Sequence, residues 1–224
     1  MKKNEHPIRL LIVDDHPAFR MGLSALIESQ SDMTVVAETG DGRDSIELYR
    51  RLQPDIVLMD LRLPGMGGVE AILAVRQDFP NARIIVVTTY DLDEDIYRAI
   101  QSGAKSYLLK DMSKEEIVGT IRAVHKGEQL LPTAIAQRLA VRLQRQELTS
   151  REIEILQLLT KGRSNKEMAS TLHLSEETVK SHLKTLFMKL GVQDRTAAVI
   201  AAFQHGIVHL DYEPALRNGP PRGE

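Results

Sequence analysis

DIVLMDLRLPGMGG, residues 55–68, pairs a short apolar run with an aspartate and a loop rich in Pro and Gly. The run reads as a buried strand, Asp60 falls where that strand runs out, and the loop lets backbone approach closely. Working outward, the same pattern recurs. IRLLIV ends at Asp14-Asp15, RIIVV at Thr88 and KSYLL at Lys110. Strands are expected to begin near Arg9, Thr34, Asp55, Arg83 and Lys105, with helical patterns between them, as over 41–53 and 91–102. Starts about 20–30 residues apart suit strand–helix–strand crossovers, which make a parallel sheet. In such a sheet, ligands bind at the carboxyl ends of the strands.

The residues at those ends share a chemistry. Three ionised carboxylates, Asp14, Asp15 and Asp60, repel one another, and a hard dication relieves the repulsion. Mg²⁺ takes oxygen ligands, typically one or two carboxylates with water and phosphate. With Lys110 the formal charge balances, so the pocket can receive a phosphoryl group. Asp60 has the most open neighbourhood and is the expected nucleophile, forming an aspartyl phosphate. Thr88 can donate a hydrogen bond to a phosphoryl oxygen, and Lys110 can pair with one as a point charge. Taken singly, each residue has a plainer reading: a turn aspartate, a β-forming threonine, a solvated lysine. Their occurrence together, in order and at the spacing of strand–helix units, favours the pocket. His16 is read as a loop residue, since Mg²⁺ prefers oxygen.

Composition narrows the classes. The 224 residues carry a net charge of −2 and no cysteine, which excludes disulfides and thiolate metal sites. The start, MKKNEHPIR, lacks the apolar segment of a signal peptide, and no apolar run reaches the ~18–20 residues of a membrane span. A cytoplasmic protein with no membrane partner is expected. Residues 8–126 hold 14 Lys and Arg against 19 Asp and Glu, a net of −5; residues 148–210 hold 8 against 6, a net of +2. An acidic domain joined to a modestly basic one fits this split.

Residues 127–147 form the joint, punctuated by Gly127 and Pro132, with a short amphipathic helix in TAIAQRLAVRLQRQ. Beyond it the pattern is helical. Capping boxes at Ser113–Glu116, Thr149–Glu152 and Ser164–Glu167 open helices, as Ser175 does, and Gly162 and Gly191 close them. A fourth helix is expected from Asp194 to about His205, and residues 211–224 have the composition of a disordered tail. In SEETVKSHLKTLFMKL, residues 175–190, Val179, Leu183, Leu186, Phe187 and Leu190 recur at core spacing. Lys180 and Lys184 share the opposite face, where phosphates would relieve their repulsion. The helix before it is joined by the short turn HLS, an arrangement that describes a helix-turn-helix. A solvated helix of a small bundle is the plainer alternative, and the turn lacks the usual Gly. Without stacking aromatics, single-strand or RNA binding is disfavoured.

LIVDDHP, DIVLMDLRLPGMGG, RIIVVTTY and GAKSYLLKD resemble the successive motifs of the receiver domain of bacterial two-component response regulators, over residues 8–126. The resemblance implies a flavodoxin-like sheet of order 2-1-3-4-5, with Asp60 as phospho-acceptor. It also implies Mg²⁺ held by Asp15 with Asp14 in support, by Asp60 and by the Arg62 backbone carbonyl. Thr88 and Lys110 would contact the phosphoryl group, and Tyr107 would change rotamer with Thr88. Thr89 stands where the family often has Ala, and Asp111 where many receivers have Pro.

Residues 148–208 closely resemble the LuxR-type helix-turn-helix of the NarL/FixJ regulators. That implies an all-α four-helix domain, taken as 148–210, whose recognition helix begins at Glu176. Lys180, Ser181 and Lys184 would face the major groove, and Asn165, Lys166, Thr178 and His182 would make backbone or positioning contacts. The helix from Asp194 would be a dimer contact, although its alanines suit an internal core equally. The expectation is a transcription regulator: a partner histidine kinase phosphorylates Asp60, and a homodimer binds double-stranded promoter DNA. An aspartate-nucleophile phosphatase of the haloacid-dehalogenase kind is the rival. It carries D-x-D at the nucleophile, whereas Leu61 and Arg62 follow Asp60, so no turnover enzyme is expected.

Overall fold

The computed structural model describes residues 6–89 and 92–208, in two compact units that divide between Arg145 and Gln146. In the first unit, β1 (Ile8–Val13), β2 (Met33–Thr39), β3 (Ile56–Met59), β4 (Ile84–Thr88) and β5 (Ser106–Leu109) form one parallel sheet of order β2-β1-β3-β4-β5. This is the expected 2-1-3-4-5 order, and strand starts fall within a residue of expectation. Helices α1 (Pro17–Glu28), α2 (Gly42–Leu52), α3 (Gly68–Asp78), α4 (Asp93–Gln101) and α5 (Lys114–His125) lie between and after the strands.

Side chains alternate across a strand, so each strand feeds two cores. Leu11, Val13, Val57, Met59, Ile84, Val86 and Tyr107 pack with residues of α2, α3 and α4; Leu10, Ile12, Ile56, Leu58, Ile85 and Leu108 pack with residues of α1 and α5. Burial on both faces explains why β3 reads as a continuous apolar run. Along β1, Leu10 pairs with Val35 but Leu11 with Ala37, so Val36 bulges out of β2.

The helix after β5, α5, opens with the full Ser113–Glu116 box. Another helix, α6 (Thr133–Leu143), follows it within the first unit and packs on α4. This is the short amphipathic helix expected in the joint.

The second unit contains α7 (Ser150–Thr160), α8 (Asn165–Leu172), α9 (Glu176–Leu190) and α10 (Arg195–Gln204). Its core gathers Ile155, Leu156, Leu159, Met168, Val179, Leu183, Leu186, Ala198 and Ala202, with Phe187 and Leu190 partly buried against it. The boxes at Thr149–Glu152 and Ser164–Glu167 form as read, and Ser175 and Asp194 cap α9 and α10. Glu152 also accepts from Lys189 Nζ at 2.7 Å, tying α7 to α9. Burial would raise its pKa, but Lys189 and the Thr149 cap outweigh that and hold it below the usual carboxylate range. Ala198 and Ala202 of α10 belong to the core, whereas Ile200 is exposed. The tail, 211–224, lies outside the described residues.

The turn between α8 and α9 has no Gly, yet it still uses a left-handed residue. His173 sits at φ 54°, ψ 45°, its amide bonding Ala169 and Ser170 carbonyls. A non-glycine residue there is strained by about 1–2 kcal/mol. Glycine relieves this but loses about 0.5–1 kcal/mol in chain entropy. His173→Gly should therefore raise unfolding stability by about 0.5–1 kcal/mol in chemical denaturation. A drop in midpoint would mean that the imidazole itself stabilises the turn.

Candidate functional site

Backbone hydrogen bonds fix the pocket residues at one sheet edge. Asp60 N donates to Val13 O at 2.8 Å, Asp14 N to Thr39 O at 2.9 Å and Lys110 N to Thr88 O at 2.8 Å. Each residue one step beyond its strand is thus held by the neighbouring strand. Asp14, Asp60, Thr88 and Lys110 are all brought together, as the sequence predicts.

Lys110 Nζ lies 2.7 Å from Asp14 Oδ2 and 2.7 Å from Asp60 Oδ2, and both carboxylates are only 2% exposed. Burial would lower the lysine's pKa, but these two hydrogen bonds and charges outweigh it and hold the ammonium above its ordinary value. The cation also lies 4.7 Å from the centre of the Phe19 ring. Arg62 N donates to Asp60 Oδ1 at 3.3 Å, which places residue 62 at the rim.

Asp15 is more exposed, and its Oδ1 is 2.7 Å from His16 Nδ1. One ligand atom from each of Asp14, Asp15, His16 and Asp60 lies within 4.8 Å of the others. Three carboxylates on one edge suit a hard dication. Thr88 Oγ1 is buried without a hydrogen-bond partner among the described residues. Leaving a hydroxyl so costs about 1–3 kcal/mol, which an oxygen-rich ligand would recover. Tyr107 is fully buried, paired in register with Val86 two residues before Thr88.

Some participants escape the sequence reading. His16, read as a plain loop residue, has its ring nitrogen in the acidic cluster. Phe19 reaches Lys110, and Arg20 donates to the Asp14 carbonyl. Their signal is spacing: three and four residues beyond His16 is one turn of α1, on one face. The Arg62 side chain turns away to Asp95 of α4, Nη2 to Oδ2 at 3.4 Å.

On α9, Lys180, Ser181 and Lys184 are exposed, as is Lys166 of α8; Asn165, Thr178 and His182 are half-buried. Thr178 is partly committed to the helix start, its Oγ1 2.8 Å from Ser175 Oγ. Lys180 Nζ is 3.9 Å from Glu177, a solvated pair of little energetic weight. Lys180 and Lys184 share the exposed side with Glu176 and Glu177, while Val179, Leu183 and Leu186 turn inward.

The receiver-domain model of response regulators matches residues 10–122, and that of bacterial regulatory proteins of the luxR family matches residues 146–202. Response regulator protein VraR of Staphylococcus saprophyticus is 44% identical over 207 residues, covering 90% of this chain and 99% of its own. The crystal structure of response regulator ChrA, of a heme-sensing two-component system, aligns with TM-score 0.54 and 39% identity over 90% of this chain and 99% of its own. RcsB of Salmonella enterica serovar Typhimurium, bound to a promoter in the presence of the phosphomimetic BeF3⁻, aligns with TM-score 0.68 and 26% identity over 88% of this chain and 98% of its own.

The loop after Asp60 closes against α3. Gly68 N bonds Leu61 O at 2.9 Å, and a Cβ on Gly68 would collide with the Asp60 carbonyl and lie 2.8 Å from Leu61 Cα. Gly68→Ala should cost about 1–3 kcal/mol in thermal or chemical unfolding, as forced overpacking does. Gly22→Ala, where a Cβ meets open space, is the matched control and should not destabilise. Equal effects at the two positions would remove the crowding argument.

Proposed function

The chain belongs to the two-component response regulators, a receiver domain joined to a LuxR-type helix-turn-helix, and on that premise we propose that it is a transcription regulator switched by phosphorylation of Asp60. Residues 8–126 are assigned to the receiver, 127–147 to the linker and 148–210 to the DNA-binding domain. The observation that carries the reading is the pairing of Lys110 with both Asp14 and Asp60, beside a Thr88 hydroxyl with no partner among the described residues.

The phosphoryl donor is a phosphohistidine of a partner sensor kinase. An Asp60 carboxylate oxygen bonds to phosphorus as the phosphorus–nitrogen bond breaks, and the histidine keeps the electron pair. Asp14, Asp15, Asp60 and the Arg62 backbone carbonyl would hold Mg²⁺, which supplies charge neutralisation at the pocket. Lys110 pairs with the incoming phosphoryl oxygens, and Thr88 Oγ1 donates to one of them. Tyr107 then follows Thr88, and the receiver surface changes. Phosphorylation biases an existing equilibrium and need create no new DNA contact. The chain acts in the cytoplasm and turns over no substrate beyond its own phosphoryl group.

Lys180, Ser181 and Lys184 read bases in the major groove, with Asn165, Lys166, Thr178 and His182 positioning the helix on the backbone. Homodimers bind two half-sites about 10 bp apart, and the outward face of α10 pairs the DNA-binding domains. RcsB's binding to promoter DNA with a phosphomimetic supports both halves of this reading.

Asp60→Asn should abolish labelling by acetyl phosphate or kinase; labelling equal to wild type would refute the acceptor. Lys180→Ala should weaken specific promoter binding by about 1–3 kcal/mol at fixed salt. An unchanged isotherm would remove Lys180 from the interface.

A further inference from the structure

The acidic first turn of α4 is held from two sides. Asp93, Glu94 and Asp95 open the helix, and Leu92 provides no side-chain cap. From the phosphoryl pocket comes Arg62, two residues past Asp60, whose side chain pairs with Asp95 at 3.4 Å. From the other side comes α6. Arg142 Nε donates to Glu94 Oε2 at 2.5 Å, with the two side chains 9% and 12% exposed. Its guanidinium also lies 4.2 Å from the centre of the Tyr97 ring. Arg145 Nη2 donates to Asp93 Oδ2 at 2.7 Å, and Arg138 Nη1 lies 3.7 Å from Asp93 Oδ1.

Arg138 and Arg142, four apart, share one face of α6, and Arg145 lies two residues beyond its end. Buried Ile135 and partly buried Leu131 and Leu139 join α6 to the core that holds Tyr107. Just before the helix, the Leu130 carbonyl accepts from the buried Ser106 Oγ at 2.5 Å. Ser106 is the neighbour of Tyr107 on β5.

We propose that residues 130–145 are a detachable strap, docked on α4 by the Arg142–Glu94 and Arg145–Asp93 pairs and released when Asp60 carries a phosphoryl group. The release rests on the acceptor reading above; the docking does not. The strap is a conditional fastening because its strongest bond is electrostatic and nearly dry. A buried charge pair holds firmly in one geometry, and a partner displaced from it leaves an uncompensated charge. Both ends of the strap lie beside elements that a phosphoryl group would disturb. Arg62 grips the same acidic turn from the pocket, and Ser106 adjoins Tyr107. An α4 moved by Arg62, or a β5 moved at Tyr107, misaligns the arginines together. Once freed, residues 131–145 change from a docked helix to a tether able to extend by up to about 50 Å, at ~3.3–3.6 Å per residue.

The test is hydrogen exchange of the full-length protein, following amides of residues 135–145. In Mg²⁺, adding beryllium fluoride should speed their exchange at least tenfold. Arg142→Glu should speed it similarly with no beryllium fluoride, Arg145→Ala should do so more weakly, and the double variant Glu94→Arg with Arg142→Glu should restore slow exchange. The double variant separates loss of the pair from general misfolding. Acetyl-phosphate labelling of Asp60 is measured on the same preparations. If labelling is normal and exchange in 135–145 ignores beryllium fluoride, the release is overturned. If neither Arg142→Glu nor Arg145→Ala alters exchange, the docking is overturned. If labelling is absent while the variants behave as expected, the docking stands and the acceptor reading fails.

Discussion

The edge of the first unit's sheet depends on a single ammonium group. Asp14 and Asp60 are both nearly excluded from water, on adjacent strands, and each accepts from Lys110 Nζ at 2.7 Å. Two such carboxylates without a cation between them would have to give up charge or solvent exclusion. Lys110 is itself delivered by backbone, through its amide bond to the Thr88 carbonyl. The parallel ladder therefore sets the electrostatics: strand register decides which charges meet, and those charges decide what the edge can bind.

Around that centre the neighbours are tightly specified. Gly68 brings α3 against the Asp60 backbone, and Arg20 and Phe19 bring the first turn of α1 to Asp14 and Lys110. Arg62 has two functions at once: its amide faces Asp60 and its guanidinium faces α4. A change in the oxygens around Asp60 thus has a short covalent and ionic path to α4. The second unit has an ionic centre of a different kind. Glu152 closes a capping box and pairs with Lys189 in the same place, so a helix start and a helix–helix contact share one carboxylate.

Much of this was legible in the sequence because the signals are local. Four apolar runs each ending in a polar residue give strands and their carboxyl edge, and the boxes at Ser113, Thr149 and Ser164 give helix starts to the residue. Asp60, Thr88 and Lys110 converge because strand ends must converge in a parallel sheet. What was not legible depends on partners distant in sequence. The amphipathic helix of TAIAQRLAVRLQRQ can be read, but not that Arg142 is buried, because Glu94 lies 48 residues away. His16 looks like any loop histidine until the fold brings Lys110 Nζ, 94 residues on, to 3.5 Å from its Nδ1. His173 carries no glycine signal, although the backbone takes a glycine-like conformation. The alanines of α10 fit an interface or a core, and only packing assigns Ala198 and Ala202 to the core.

The bulge at Val36 has a consequence for the fate of many copies in one cell. An open sheet exposes two rows of unpaired backbone groups, each a template for strand addition and fibril growth. Here one border strand, β2, is kinked by its extra residue, and the other, β5, is only four residues long. Neither offers a long, flat edge to a neighbouring chain. Edge-to-edge stacking of copies is thereby disfavoured.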